Sequence, residues 1–332
     1  MIVVTGGAGF IGQNLVRKLL ELGHNDIVIV DNNWDNMMLV EFNMNAYQNI
    51  KYLSVEDSYL WLGFNKYNID VIFHLGARTD TAEQDEKIFE HLNYNYSKLI
   101  WNLCREAGIP MIYASSAATY GDGEDGFDDN GNLLDLQPLN PYGVSKHDFD
   151  MYAVGESFGG LFNGMSFAAP KHWFGFKFFN VYGNHEEHKG AMASVIWHFY
   201  NQIKETGEVK LFRSHQDWCG DGFQKRDFIY VDDVINTMIW TYNFRKDVPS
   251  DIYNLGTGTA RTYNDLARAI FKSLDKPVKI SYIDTPLEIR DSYQYYTCAK
   301  MDKLSEIMSG LEFFTLEEGI DLYIKQLEAQ DV

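Results

Sequence analysis

Short apolar runs alternate with amphipathic stretches through the first half of the chain. Candidate strands are the runs 1–5, 26–30, 70–73 and 111–113. Apolar residues recur at helical spacing in the stretches 10–22, 87–107 and 142–154. Strands and helices in alternation are joined by right-handed crossovers. The pattern therefore predicts an α/β fold with a doubly wound parallel sheet.

Charge and composition narrow the class of protein. Of 332 residues, 28 are Lys or Arg and 47 are Asp or Glu, which gives a formal net charge of -19. This acidic excess disfavours nucleic acid or an anionic membrane as a partner, since both bind clustered basic residues. No apolar run approaches the roughly 20 residues of a membrane span, and a first strand beginning at Met1 leaves no place for a signal peptide. We therefore expect a cytoplasmic protein.

The three cysteines give no sign of a metal site. Cys104, Cys219 and Cys298 are scattered and lack metal-ligand spacing. We interpret them as reduced thiols that pack in the interior, and we expect no metal.

Glycines follow the first predicted strand at a spacing that suits dinucleotide binding. Gly6, Gly9 and Gly12 lie between that strand and the predicted helix. The backbone N–H groups of such a turn, together with the helix N-terminus, form a cradle for a pyrophosphate. Asp31 ends the second strand, where a carboxylate can accept from ribose hydroxyls. Glycines at this spacing also occur in ordinary turns, so the motif is weak by itself.

Tyr142 and Lys146 are four residues apart and share one face of a predicted helix. An ammonium held near a phenol should favour the phenolate and lower the tyrosine pKa. The alternative interpretation is a half-buried aromatic residue beside a solvated cation. Ser116 ends a buried strand, and the carboxyl ends of parallel strands line the ligand crevice of such sheets.

The combination of Ser116, Tyr142 and Lys146 with the glycine turn resembles the extended short-chain dehydrogenase/reductase family. That resemblance implies a Rossmann fold, a bound nicotinamide cofactor and these three residues as catalytic groups. The later segments 115–121, 179–183, 188–194, 225–231 and 254–258 resemble, within it, the ADP-L-glycero-D-manno-heptose 6-epimerases. The segment 188–194, which contains Lys189, is the most discriminating of the five.

The resemblance implies an epimerase that removes hydride from C6 of the heptose and returns it to the other face of a transient carbonyl. Tyr142 would be the first base, with Lys146 lowering its pKa, and Lys189 the second. By itself, Lys189 could equally be a solvated loop lysine. The resemblance also implies a nucleotide-sugar substrate and a homo-oligomer, a pentamer in that family.

Further site residues follow from the same resemblance. The cofactor-binding residues would be Gly6, Gly9, Phe10, Ile11, Gly12, Asp31, Asn32, Leu75, Gly76, Ala77, Arg78, Thr79, Asn93, Lys146 and Val181. The substrate-binding residues would be Asn180, Ala191, His198, Phe212, Arg213, Ser214, His215, Arg226 and Tyr293. Ala191 stands where the family usually has serine, and the segment 217–222 is an insertion beside the nucleotide pocket.

Two interleaved domains are expected. The dinucleotide-binding domain would comprise residues 1–180, with a return segment near 227–258. The substrate-binding lobe would comprise residues 181–226 and 259–332. An acidic, glycine-rich surface loop is expected at 122–140, and short strands and turns at 226–234 and 253–258.

The family resemblance and the residues themselves predict different cofactors. The heptose epimerases favour NADP, whereas Asp31 suits the 2'-hydroxyl of NAD and repels a 2'-phosphate. Residues 32–50 contain no Lys or Arg, and Met38 stands where a lysine is expected. Only Lys51 or Arg78 could then reach the phosphate.

Three alternatives remain open. The chain could be a UDP-hexose 4-epimerase, a 4,6-dehydratase or a non-catalytic dinucleotide-binding protein. Ala117 and Ala118 stand where the dehydratases carry an Asp-Glu pair, which disfavours that activity. The intact Ser116, Tyr142 and Lys146 disfavour a non-catalytic role.

Overall fold

The computed structural model describes residues 1–33, 50–157, 169–287, 290, 293–310 and 312–330. The chain divides into two compact units, each built from several segments. Unit 1 comprises residues 1–121, 129–177 and 235–253, and unit 2 comprises residues 122–128, 178–234 and 254–332.

Within the described residues, seven strands form a central sheet. Their bounds are β1 (Ile2–Thr5), β2 (Ile27–Val30), β3 (Lys51–Leu53), β4 (Val71–His74), β5 (Met111–Ser116), β6 (Trp173–Phe178) and, later in the chain, β10 (Asp251–Leu255). The order across the sheet is β10-β6-β5-β4-β1-β2-β3. The pairings of β1 with β2 and β4, of β2 with β3 and of β4 with β5 are parallel.

Helices lie beside this sheet, some of them in the stretches that the apolar spacing predicted. They are α1 (Phe10–Glu21), α2 (Val55–Asn65), α3 (Glu86–Phe89), α4 (Tyr96–Ala107) and α5 (Pro141–Ser157), and the later helix α7 (Val231–Asn243). Every residue of β1, β2 and β4 is buried, as expected for strands covered on both faces. Aromatic side chains fill the core between α4, α5 and β6, where Trp101 contacts Phe149 and Trp173 with ring centroids 6.0 and 5.2 Å apart.

Unit 2 contains two smaller sheets. Its remaining elements are β7 (Asn180–Tyr182), α6 (Val195–Thr206), β8 (Val209–Phe212), β9 (Lys225–Tyr230), β11 (Ala260–Thr262), α8 (Tyr263–Ser273), β12 (Ile280–Ile283), α9 (Asp302–Ile307) and α10 (Leu316–Gln330). The strand order is β11-β9-β7 in one sheet, and β12 pairs with β8 in the other. Buried Asp227 on β9 accepts hydrogen bonds from the N–H groups of Thr257, Gly258 and Ala299, which fixes the turn after β10.

The predicted α/β class and doubly wound parallel sheet are confirmed. The expectation of short strands and turns at 226–234 was wrong in part, because β9 continues directly into α7. The predicted loop at 122–140 contains one helical turn, Leu133–Asp135. No described helix combines the length and the apolar character that crossing a membrane requires.

Candidate functional site

The glycine turn between β1 and α1 is closely packed. The N–H of Gly9 donates to the carbonyl of Gly6 at 3.0 Å, and Gly6 has φ +68°. A Cβ at Gly12 would lie 2.0 Å from the Gly6 oxygen, and one at Gly6 would lie 2.6 Å from the backbone of Gly76. No acidic side chain lies in the first turn of α1, which begins at Phe10 and Ile11. The turn therefore offers backbone N–H groups and a helix N-terminus to an anion.

Asp31, just after β2, is tied to this turn. One carboxylate oxygen accepts from the N–H of Ala8 at 3.0 Å, and the other accepts from Asn32 and Asn33 at 2.8 and 3.0 Å. The Asn32 side chain accepts in turn from the N–H of Val55. A carboxylate is thus held at the place where a ribose is expected.

The two basic residues considered for a 2'-phosphate have other partners. Lys51 lies over the ring of Trp61, with its Nζ 4.6 Å from the centroid. Arg78 pairs with Asp80 and Glu83 at 3.1 and 3.7 Å. Most of the segment 32–50, including Met38, lies outside the described residues.

The segment after β4 is held by Asn93. Leu75 and Gly76 donate to the carbonyl and hydroxyl of Thr5, and this places Ala77, Arg78 and Thr79 beyond the strand end. The N–H of Arg78 donates to the Asn93 side chain at 2.7 Å, and Asn93 donates back to the Arg78 carbonyl at 3.0 Å. Asn93 is buried in a π-helical turn, Glu90–Asn95, a feature found often at functional sites.

Ser116, Tyr142 and Lys146 are brought together in unit 1. Ser116 is the last residue of β5, and its hydroxyl accepts from the N–H of Ala118 at 3.1 Å. Tyr142 and Lys146 lie on α5, and buried Lys146 donates from Nζ to the carbonyl of Ala114 at 2.8 Å. The Ser116 hydroxyl is hydrogen-bonded to Tyr142, and the Lys146 ammonium binds the same strand, β5.

The expected lowering of the Tyr142 pKa was wrong for this structure. Burial raises the pKa of Tyr142, while its hydrogen bond with Ser116 acts in the opposite direction. Burial also lowers the pKa of Lys146 to about 8, and the charge of Asp150 opposes that shift. For both groups, desolvation by burial has the largest effect on the pKa.

Behind these residues lies a buried polar network that the sequence reasoning missed. Asp150, one helical turn beyond Lys146, accepts from Tyr113 at 3.0 Å, from Ser115 at 2.7 Å and from Lys177 at 2.8 Å. The side chains of Lys177 and Asp150 are both fully buried, and Lys177 also donates to Thr119. The network joins β5, β6, α5 and the turn after Ser116.

In unit 2, Lys189 lies on a helical turn between β7 and α6. The turn covers Glu187–Met192 and is kinked at Gly190, which has φ +54°. Burial lowers the pKa of half-buried Lys189, and the charge of Glu186 opposes that shift. Ala191 is exposed, and its carbonyl lies 3.3 Å from His198 Nε2 on α6. Of the two adjoining β7 residues, Asn180 is exposed and Val181 is half-buried.

A second cluster in unit 2 combines aromatic rings with one arginine. The guanidinium of Arg226 lies 5.7 Å from the ring centroid of Tyr293 and also donates to the carbonyl of Gln294. The rings of Phe212 and His215 lie 6.4 and 6.2 Å from that of Tyr293.

The segment 217–222, predicted to be an insertion, packs beside this cluster. Asp221 accepts from the N–H of Ser214 at 2.9 Å, and the ring of exposed Trp218 lies 5.0 Å from that of Tyr295. Arg213 pairs instead with Asp284 at 3.1 Å. The insertion is therefore joined to the predicted nucleotide segment, while the Arg213 charge is already paired.

Comparison with known proteins identifies the family to which the chain belongs. The sequence model described as the NAD dependent epimerase/dehydratase family matches residues 2–256. The chain belongs to this family.

Two curated relatives are similar over their whole length. The ADP-L-glycero-D-manno-heptose-6-epimerase of Fusobacterium nucleatum is 42% identical over 100% of this chain and 99% of its own. The protein of the same name from Nitratidesulfovibrio vulgaris is 42% identical over 98% of this chain and 97% of its own. The expected resemblance is thereby confirmed.

Solved structures give the same fold. The Helicobacter pylori ADP-L-glycero-D-manno-heptose-6-epimerase superposes with a TM-score of 0.77 at 26% identity, covering 99% of this chain and 96% of its own. The Thermotoga maritima UDP-glucose 4-epimerase has a TM-score of 0.79 at 24% identity, and the match covers 100% of this chain and 99% of its own. The latter likeness shows the fold alone.

As a member of this family, the chain uses a nicotinamide cofactor. The geometry of unit 1 fits such a group, since the N-terminus of α1 follows the glycine turn and has no acidic side chain in its first turn to repel a pyrophosphate. Asp31 and Lys146 remain the predicted contacts to its ribose hydroxyls. Asp150 and Lys177, which were missed from the sequence, bind the strand and helix that carry the predicted catalytic residues.

Proposed function

We propose that the chain inverts C6 of the heptose in an ADP-glycero-manno-heptose by transient oxidation and re-reduction. The observation that carries this proposal is the 42% identity to curated 6-epimerases over the whole chain. The arrangement of Ser116, Tyr142 and Lys146 at the end of β5 supports it, because that chemistry needs a proton carrier beside the reacting carbinol. A bound nicotinamide would supply the hydride chemistry of both half-reactions.

Tyr142 is the first proposed proton carrier. Its raised pKa keeps the phenol protonated at neutral pH, which suits delivery of a proton to the carbonyl oxygen during re-reduction. The hydroxyl of Ser116 hydrogen-bonds the same oxygen. Buried Lys146 supplies positive charge that favours the phenolate during the opposite half-reaction.

Lys189 is the second proposed base, serving the other face of the carbinol. Its pKa is lowered by burial, so a neutral amine is more accessible than in an exposed lysine. Because the hydride is returned to the opposite face, two groups with separate access to the oxygen are needed. Lys189 is thus assigned a role that its sequence neighbourhood alone left open.

The aromatic cluster of unit 2 is the proposed nucleotide site. Phe212, His215 and Tyr293 offer faces for a base, and Arg226 offers a cationic group for a diphosphate. Ser214, Asn180 and His198 remain proposed polar contacts to the sugar and phosphates. Arg213 and Ala191 are weaker candidates, because Arg213 pairs with Asp284 and Ala191 lacks a hydroxyl.

We further propose that the enzyme accepts NAD as well as NADP. Asp31 lies at the end of β2, and both Lys51 and Arg78 have other partners. A homo-oligomer, a pentamer by family resemblance, and a cytoplasmic location also remain proposals, as do the two domain roles and the remaining cofactor contacts.

The test is direct incubation of purified protein with ADP-D-glycero-manno-heptose, without added cofactor. We expect the 6-epimer to accumulate until the two epimers reach a fixed ratio. Proton NMR monitors the reaction. A parallel incubation uses UDP-galactose, and conversion of that sugar alone would favour a 4-epimerase. A protein that converts neither sugar while retaining its dinucleotide would contradict the proposal.

A further inference from the structure

The segment 183–194, which carries Lys189, is held by one buried carboxylate. Glu186 is fully buried, and its Oε1 accepts from the N–H of Gly183 at 3.4 Å and from the hydroxyl of Ser194 at 2.6 Å. Its Oε2 accepts from the N–H of Ser194 at 2.6 Å. Both ends of the segment are therefore bound to the same side chain.

This carboxylate also anchors the segment to a helix. Ser194 is the N-cap of α6, and its hydroxyl accepts from the N–H of Trp197 at 3.4 Å. An anion is favoured at the N-terminus of a 12-residue helix by the helix dipole. Burial raises the pKa of Glu186, but the hydrogen bonds from Ser194 and Gly183 oppose that rise. Three donors around two oxygens suit an ionised carboxylate, which can only accept.

Lys189 depends on this anchor through its backbone and its charge. Its N–H donates to the carbonyl of Glu186 at 3.0 Å, and the chain turns sharply at Gly190 immediately afterwards. The hydrogen bond to the Glu186 carbonyl therefore fixes the backbone position of Lys189. The nearby anion also raises the pKa of Lys189 against the larger effect of burial.

We propose that Glu186 is the positioning residue of the Lys189 base, holding the segment 183–194 against the N-terminus of α6. The role of Lys189 itself rests on the proposed function. Besides Lys189, Tyr323 of α10 interacts with the carboxylate. Glu187 and Tyr230 interact electrostatically with that tyrosine, and both raise its pKa.

The test is Glu186→Gln, which keeps the size of the side chain but removes its charge and one acceptor. Glu187→Gln is the matched control, with the same charge change one residue away. Hydrogen exchange of the 183–194 amides and the pKa of Lys189 are measured without substrate. The pKa is read by NMR of the ¹³C-methylated protein, with the lysine signal assigned through Lys189→Arg.

In Glu186→Gln we expect the Ser194 amide to exchange about 10- to 100-fold faster, as for loss of a charge-assisted hydrogen bond. The Lys189 pKa should fall, and kcat should fall more than KM changes. The control should show neither the faster exchange nor the lower pKa. Wild-type exchange and an unchanged Lys189 pKa in Glu186→Gln would overturn the proposal.

Ser194→Ala keeps the test decisive if Glu186→Gln does not fold. It removes one of the three hydrogen bonds and should produce a smaller change in the same direction. Hydrogen exchange and the Lys189 titration use no substrate, so they test the role of Glu186 independently of the proposed epimerase activity. Failure of Lys189 as a base would appear instead as full turnover by Lys189→Ala.

Discussion

Lys177→Met should destabilise the protein strongly, because it breaks a fully buried ion pair behind the catalytic residues. Lys177 Nζ lies 2.8 Å from the Asp150 carboxylate, and neither side chain is exposed. The substitution keeps much of the apolar volume but leaves a buried carboxylate without its cation. Asp150 would retain only the hydroxyl donors Tyr113 and Ser115.

The expected loss is about 3 to 5 kcal/mol of unfolding free energy, as found when one partner of a buried pair is removed. The two remaining hydroxyl donors favour the lower end of that range. A loss of this size is a large part of the roughly 5 to 15 kcal/mol that stabilises a typical protein. Adding Asp150→Asn should cost less than the sum of the two single changes, since the buried charge is removed as well.

Urea unfolding of the cofactor-loaded protein measures these losses. Lys204→Met is the matched control, because Lys204 pairs with Glu328 at 2.7 Å while the two side chains are 37% and 45% exposed. An exposed pair contributes at most about 1 kcal/mol. The reasoning would be refuted if Lys177→Met cost no more than Lys204→Met, or if the double substitution were fully additive.

Three further predictions concern the chemistry. Tyr142→Phe should lower kcat by about 10²- to 10⁴-fold with the dinucleotide still bound, because only the phenolic proton is lost; unchanged kcat would exclude Tyr142 as proton carrier. Lys189→Ala should lower kcat in both directions of the epimerisation; a change in KM alone would make Lys189 a binding residue. Apoprotein titrated with both cofactors should discriminate poorly against NAD, since loss of a charged phosphate contact costs about ten- to hundredfold in NADP preference. A strong NADP preference would contradict that interpretation of Asp31.

The first half of the fold was predictable because its signals are local. The buried run of β1, the glycines after it and the apolar spacing of α1 lie within about twenty consecutive residues. The family was recognisable from Tyr142, Lys146 and the segment containing Lys189, and the relatives confirm it. The assignment of individual site residues remains a prediction.

The helix α7 was missed although its signal is present. Val231, Val234, Ile235 and Met238 have helical spacing and are all buried. The preceding strand β9 runs into the helix with no intervening loop, so the whole stretch resembled a strand followed by a turn.

The buried networks could not be deduced from local sequence. Asp150 and Lys177 are 27 positions apart and meet only because α5 packs against β6 beside β5. A lysine within the apolar run of β6 was the available sign. The pKa of Tyr142 likewise depends on burial, which the spacing of Tyr142 and Lys146 does not report.

Isotope tracing at C6 tests the central claim most directly. ADP-heptose carrying deuterium at C6 is epimerised in ordinary water, and unlabelled substrate is epimerised in heavy water. Transient oxidation with return of the same hydride predicts that the first product keeps its deuterium at C6 and that the second gains none. Loss of label in the first experiment together with uptake in the second would show exchange of the C6 hydrogen with solvent, and would contradict the account.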